Sequence, residues 1–376
     1  MVSCFGPERV LLFDDYFDWY AHGGIYRSIC WHELPDLSIN RAHVRIRDAR
    51  LGKVEVEVQL AGAISDEIEL LARWDERKDE RVTLQPVDGK AIWKTSVPEP
   101  QLWSPQNPHL HKLQLRLADG SDGIVERIGL REIESREGQL WLNGEPLQLQ
   151  GVNRHEAQVL TGPVLSTAQK LHDILLLKDL GCNFVRGSHY QQDQEFLDLC
   201  DEHGILVWEE GTGWQAREAH FTNPRFTELQ QQSLRAMTQS SFNHPSIIIW
   251  GFLNEGESFR DSSRPVYECL VQTLRDADDG RLVTSACNHP LTCQNLHLYD
   301  LISINMYPGW YPDWSDREAA NMHHPFKLIE ERLDEVSSHF VEQGLNNKGL
   351  LDEYRRPKMA FHTVREYFHK GFIAQR

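Results

Sequence analysis

The segment IIIWGFLNEG, Ile247 to Gly256, sets a run of large apolar residues directly ahead of an amide and a carboxyl, Asn254 and Glu255. The apolar run reads as a buried strand, so Glu255 falls where that strand ends. A carboxyl there is costly to bury unless it is hydrogen-bonded or functional. Two readings follow. One is a capping or ion-paired Glu at a loop start. The other is a general acid/base in a semi-apolar site, with Trp250 and Phe252 expected to keep water away from it. Aromatic residues recur near the expected loops: Trp208, Trp214, Trp250, Tyr307, Trp310 and Tyr311. Sugars present C–H faces that stack on such rings, although Trp and Tyr are also ordinary core residues. With a sugar as ligand, Asn254 is suited to hold a hydroxyl.

The elements that position these residues alternate from about Gln139 onward. PLQLQGVN, NFVRGSHY, ILVWEE, IIIWGFLNE, RLVTSA and LISINMYP read as strands with helices between most of them. That alternation predicts a parallel sheet with crossover helices. Ser166 and Gln169 form a capping box ahead of a helix that Gly181 closes. Gly204 stops the next helix, and a long one starts near Pro224. A further helix is expected at FKLIEERLDEVSSHF. Polar and aromatic residues crowd the strand ends: Asn153 to Glu156, Arg186 to Tyr190, Trp208 to Glu210, Asn254-Glu255, and Asn305 with Tyr307. Active sites of (β/α)₈ barrels lie on that face. Within GVNRHE, His155 and Glu156 either orient a substrate or close the barrel rim through salt bridges. Arg186 either binds a substrate oxygen or neutralises Glu255 or Glu209.

Up to about Ile133 the chain reads as β. In KVEVEVQL, Val54, Val56, Val58 and Leu60 alternate with polar residues, as in a half-buried strand. HVRIRDARL, EIELLARW, IWKTSV, HKLQLRLAD and GIVERIGLREIES continue the pattern with turn signals between them. Short strands at this spacing predict an immunoglobulin-like sandwich.

Composition narrows the classes. A chain of 376 residues, 40% of them hydrophobic, has material for two or three packed domains. A net charge of −17 argues against nucleic acid and against an anionic membrane surface as partners. No run approaches a membrane span and no signal peptide is visible, which points to a cytoplasmic protein. The seven cysteines show no C-x-x-C spacing and read as buried free thiols. Eighteen histidines form no metal-binding motif, so neither metal nor other cofactor is expected. Self-association into a homo-oligomer stays open.

Taken together, DWYAHGGIYRSI, LWSPQNPHL, GLREI, LNGEPLQLQGVNRHE, CNFVRGSHY, DEHGILVWEE, NHPSIIIWGFLNEGES and LYDLISINMYPGWY resemble glycoside hydrolase family 2, the family of β-galactosidases, β-mannosidases and β-glucuronidases. The order and spacing of these segments match over most of the chain. The resemblance implies a remnant of an N-terminal jelly-roll domain over residues 1–35, an immunoglobulin-like sandwich over 36–133, and a TIM barrel over 134–376. It implies hydrolysis of β-glycosides, with Glu255 as acid/base and with His155, Arg186, Asn254 and Tyr307 contacting or shaping the sugar site. Asn346-Asn347-Lys348 matches the N-x-K motif with which β-glucuronidases read the substrate carboxylate. An amide and an ammonium, from Asn346 and Lys348, suit that task.

Two departures from the family stand out. GGIYRSI begins at Gly23, so most of the jelly-roll is expected to be absent. The family's nucleophile lies in an S-E-[FY]-G-like segment, and none occurs between Phe340 and Arg376. Retention needs two carboxyls ~5 Å apart. Glu353 in LLDEYRRP is the available substitute, but its whole surrounding segment resembles the family's final strand–helix connection, which makes it a solvated loop charge. An internal deletion that removes the seventh strand and most of the eighth accounts for the missing nucleophile segment, leaving a barrel short of about two strands. The competing expectation to an active hydrolase is therefore an inactive relic that binds carbohydrate weakly at most.

Overall fold

The structure, a computed structural model, describes residues 25–158, 160–305 and 359–370. Its first part is a two-sheet sandwich. Strands β1 (Leu37–Asp48), β2 (Lys53–Gly62), β3 (Ile68–Trp74), β4 (Glu80–Leu84), β5 (Lys90–Ser96), β6 (His111–Leu117) and β7 (Gly123–Ile128) form it. One sheet has the order β1-β2-β5 and the other β4-β3-β6-β7, all antiparallel. The alternation expected in β2 is present. Val54, Val56, Val58 and Leu60 are buried and pack with Leu113, Leu115 and Leu117 of β6 in one core. β4 was not foreseen, because only Val82 and Leu84 of its five residues are buried. GIVERIGLREIES, expected as one strand, is two: β7 and then β8 (Ile133–Arg136) in a different sheet.

β8, β9 (Gln139–Leu142) and β10 (Glu145–Leu147) form a small antiparallel sheet that seals the barrel from below. Its Ile133, Leu140 and Leu142 cluster with Leu206, Trp208, Ile249 and Leu282. The expected strand PLQLQGVN is therefore split, its first half serving this floor and its second half the barrel. The sandwich docks through Arg131, whose guanidinium donates to the carbonyls of Pro245, Ile247 and Gly280 at 3.1, 2.6 and 3.3 Å. Burial and the nearby Arg281 lower the pKa of Arg131 to about 9. Trp103 Nε1 adds a bond of 2.9 Å to Asp201 O.

The barrel strands are β11 (Gly151–Arg154), β12 (Phe184–Gly187), β13 (Leu206–Glu210), β14 (Ile247–Gly251), β15 (Leu282–Thr284), β16 (Ala286–Cys287) and β17 (Ser303–Ile304). β11 to β15 are consecutive parallel neighbours, and β16 pairs with β17. Ser285 alone separates β15 from β16, and its Oγ donates to Leu253 O at 2.6 Å. The chain thus makes six barrel positions among the described residues, and the barrel is partial. Helices α1 (Thr167–Leu180), α2 (Gln194–His203), α3 (Glu218–Phe221), α4 (Pro224–Ser241) and α5 (Ser263–Ala277) lie between the strands, and α6 (Met359–Lys370) packs on α1. The Ser166–Gln169 capping box and the left-handed Gly181 and Gly204 caps are present as expected. Asn223 caps α4 with Pro224 in its first turn. Residues 1–24, with the expected jelly-roll remnant, and the expected helix FKLIEERLDEVSSHF lie outside the described residues.

Among the described cysteines, Cys182, Cys200, Cys287 and Cys293 are buried free thiols, while Cys30 is exposed. No described helix is long and apolar enough to cross a membrane.

Candidate active site

The strand pleat decides which side chains reach the barrel interior. In β13, Leu206 and Trp208 join the interior cluster, whereas Val207 packs outward with the helices. Glu210 follows Trp208 by two and points inward, and Glu209 points outward. The same alternation places Trp250 and Phe252 in the layer between strands and helices. Trp250 Nε1 donates to Asp278 Oδ2 at 2.8 Å, and the Phe252 ring lies 5.5 Å from that of Tyr267. Both were expected to desolvate Glu255, and the structure corrects this: they anchor β14 from behind. Trp208 is the interior aromatic, stacked under the Arg186 guanidinium at 4.3 Å. Gly251 permits that placement, since a Cβ there would come within 1.8 Å of Trp208 Nε1.

After Gly251 the chain turns sharply. Leu253 and Glu255 both have positive φ, 39° and 53°. Such strain persists only where surrounding bonds over-determine it, and it gathers at functional sites. Here Asn254 N donates to Gly213 O at 2.8 Å, Gln215 N to Asn254 O at 2.7 Å, and Glu255 N to Ala286 O at 2.9 Å. The turn presents Asn254 and Glu255 side by side. Asn305, just past β17, bridges them: its Nδ2 lies 3.0 Å from Asn254 Oδ1 and 2.7 Å from Glu255 Oε1. Arg186 Nη2 donates to the same Asn254 oxygen at 2.8 Å. With its carbonyl oxygen bound twice, the Asn254 amide is fixed with its donor group turned elsewhere.

Arg186 was expected either to bind a substrate oxygen or to neutralise Glu255 or Glu209. Its partner is instead Glu210, with Nε 2.7 Å and Nη2 2.6 Å from Oε2. His189 Nδ1 lies 2.8 Å from the other oxygen, Oε1. Burial by itself would raise the Glu210 pKa, but Arg186 and His189 outweigh it and hold the carboxyl below its usual range. Glu209 goes the other way: burial pushes its pKa well up, against a hydrogen bond from the Gln192 amide at 3.1 Å and the charge of Arg27. His155 stands at the mouth, its ring 5.6 Å from that of His189 and its Nδ1 3.4 Å from Tyr190 Oη. Burial raises the Tyr190 pKa to about 12, so it remains a hydroxyl. Glu156 is drawn into the rim network, its Oε2 accepting from Arg27 and from Asp193 N.

The structure thus brings together Glu255, Asn254 and Arg186, and places His155 against His189, which in turn contacts Arg186. Tyr307, Asn346, Lys348 and Glu353 lie outside the described residues. Glu210, His189 and Asn305 had been noted only as polar strand ends. The signal that singles out Glu210 is its position two residues beyond inward-facing Trp208. Asp198, Asp201 and His244 also lie together, their ligand atoms within 4.8 Å. Arg127 pairs with Asp198, and Asp201 binds His244 and Ser246 N, so these groups are in structural use.

The chain is thus a sandwich joined to a barrel, with a strained Asn-Glu turn ending the fourth barrel strand. The sequence profile of the TIM barrel domain of glycosyl hydrolases family 2 matches residues 133–375, and a second profile of that family matches residues 35–131, so the chain belongs to glycoside hydrolase family 2. Among solved structures it is similar to a GH2 β-galacturonidase from Eisenbergiella tayi bound to glycerol. That match has 28% identity and a TM-score of 0.81, covering 98% of this chain and 77% of the other. The same organism's enzyme bound to galacturonate matches at 27% identity and TM-score 0.76, over 90% of this chain and 73% of the other. A Bifidobacterium dentium β-glucuronidase complexed with coumarin-3-O-glucuronide shares the fold at 21% identity and TM-score 0.76, over 89% and 67% of the two chains.

Proposed function

We propose that this chain hydrolyses β-glycosides of a hexuronic acid by a retaining, two-carboxyl route, with Glu255 as the acid/base. The observation that carries the role of Glu255 is its bridge through Asn305 to Asn254, which sets carboxyl and amide next to each other at the end of the fourth strand. In this reading a second carboxylate, the nucleophile that the covalent probe below is to locate, bonds to the anomeric carbon while Glu255 protonates the departing glycosidic oxygen. Glu255 then takes a proton from the water that displaces that carboxylate and releases the sugar. Asn254 holds a sugar hydroxyl. Arg186 acts through Asn254, because its charge is already matched by Glu210. His155, with Tyr307, shapes the rim of the site. Asn346 and Lys348 take the substrate carboxylate. The choice of a uronide over a galactoside is supported by that N-x-K segment and by the named activities of the similar structures, β-galacturonidase and β-glucuronidase.

A second reading is supported by one observation: no S-E-[FY]-G-like segment lies between Phe340 and Arg376. The chain is then an inactive relic that binds carbohydrate weakly at most. Aryl β-glucuronide, β-galacturonide and β-galactoside offered to the purified chain separate the two. Turnover of either uronide above the galactoside supports the hydrolase, and failure on all three supports the binder. A covalent probe sharpens the answer. Cyclophellitol-6-carboxylate aziridine forms an adduct with β-glucuronidase 2 of Bacteroides uniformis. Peptide mapping after treatment with the same probe is expected to find the nucleophile, with Glu353 the residue to inspect first.

A further inference from the structure

GGIYRSI matches its family as sequence, yet its arginine has no part in the chemistry above. Arg27 precedes the sandwich in the chain and reaches the barrel rim in space. Its Nη2 lies 2.7 Å from Glu156 Oε2 and 2.6 Å from Gln191 O. Nη1 lies 3.3 Å from Gln192 O, and Nε 4.0 Å from Asp193 Oδ2. These partners belong to two separate loops. Glu156 follows His155 at the exit of β11, while Gln191 to Asp193 follow His189 at the exit of β12. The loops are also stitched directly. Asp193 N donates to Glu156 Oε2 at 3.0 Å, and Glu156 N donates to Tyr190 Oη at 3.0 Å. Tyr190 Oη in turn lies 3.4 Å from His155 Nδ1.

Charge makes Arg27 the key member. The Glu156 side chain is 2% exposed, and a buried carboxylate needs a cation and hydrogen bonds. The next cation, Arg154, stays 4.0 Å from Glu156 Oε1 and is engaged by Asp173 at 2.9 Å and by Gln192 Oε1 at 2.6 Å. Glu209 is buried in the same neighbourhood, where Arg27 attracts its carboxylate form and Glu156 repels it. Without Arg27, two buried carboxyls share one committed cation. The fork geometry also matters, because one guanidinium grips a carboxylate and two carbonyls at once, which an ammonium does poorly.

We propose that Arg27 is a positioning residue: from outside the barrel it fixes the two loops that hold His155 and His189 at the mouth of the site. The proposal rests on the reading that this mouth receives a β-glycoside.

The test uses the full chain with Arg27→Ala, Arg27→Lys and Glu156→Gln. In Arg27→Ala, amide hydrogen exchange over residues 154–158 and 188–193 should quicken ~10-fold, while β2 and β6 keep their protection. With the aryl uronide turned over best, KM should rise ~10-fold with kcat nearly unchanged, since loop placement acts on binding. Arg27→Lys should recover part of both effects. Arg27→Ala added to Glu156→Gln should cost less than the two single effects combined. Unchanged exchange in the two loops overturns the proposal, as does a fall in kcat at constant KM. Should Arg27→Ala fail to fold, Arg27→Lys carries the same readouts at smaller amplitude. If the parent chain turns over no glycoside, the hydrolase reading falls alone. Exchange, and titration of D-galacturonate into parent and variants, then still decide the role of Arg27.

Discussion

Two polar clusters stand back to back on β13, separated by a single step of the pleat. The inner one, Arg186, Glu210, Asn254 and Asn305, faces the barrel mouth, and among the described residues none of its side-chain atoms is buried without a hydrogen bond. The outer one, Arg27, Arg154, Glu156 and Glu209, faces the rim loops. Among the described residues it leaves Arg27 Nε, Arg154 Nη2, Glu156 Oε1 and Glu209 Oε2 buried without a hydrogen bond. The neighbouring carboxyls Glu209 and Glu210 consequently titrate in opposite directions. Burial is common to both, so burial does not decide the outcome. A matched guanidinium with geometric fit does. The inner cluster is charge-balanced by the Arg186–Glu210 pair, which suits the role proposed for Glu255 beside it. The outer cluster is under-satisfied and depends on a charge arriving from a distant part of the chain.

Substitutions can break this contrast. The largest effect is expected at the turn that the inner cluster supports. Glu255→Gln should slow hydrolysis of β-glycosides with poor leaving groups ~100- to 10,000-fold, the range of a lost general acid. The denaturation midpoint should barely move, and a variant retaining the parent rate would remove Glu255 from the chemistry. Next comes Glu210→Gln, which leaves Arg186 buried and unmatched. Breaking a buried pair this way costs about 3–5 kcal/mol, readable by urea denaturation. Asn305→Ala should cost about 1–3 kcal/mol, because it removes a donor from Glu255 Oε1 and one of the two donors on Asn254 Oδ1. It should also lower turnover, as Asn254 and Glu255 lose the bridge that aligns them.

The sequence disclosed periodic and local features well. The alternation in β2, the capping box at Ser166 and the glycine stops at Gly181 and Gly204 all depend on neighbours in the chain. Glu255 stands out as a candidate in the sequence because a carboxyl after an apolar strand is costly wherever the rest of the chain goes. Facing was not legible. A parallel strand is apolar on both sides, so IIIWG does not reveal that Trp250 turns to the helices. Nor could Arg186 be matched to Glu210 across 24 residues without the register of β12 on β13, in which Arg186 lies opposite Trp208. Arg27 was further from reach, since its contact with Glu156 spans 129 residues and no periodicity links them.

The smallest expected effect probes the outer cluster, and its sign matters more than its size. Burial raises the folded-state pKa of Glu209 above the ordinary 4.5, so the folded chain holds this proton where the unfolded chain releases it. The stability that Glu209 contributes is therefore complete below the unfolded value and is lost as pH rises toward the folded one. Glu210 has the opposite linkage, its contribution present above the unfolded value and lost as pH falls through the depressed folded one. Glu209→Gln keeps the hydrogen-bond acceptor for the Gln192 amide and abolishes the titration. It should be near neutral at about pH 5 and stabilising by on the order of 1 kcal/mol at about pH 8, flattening the pH dependence of the urea midpoint. If Glu209→Gln instead destabilises the chain at pH 8 as strongly as Glu210→Gln does, the outer carboxyl is a matched ion like the inner one. The distinction between the two faces of β13 would then be one of position alone.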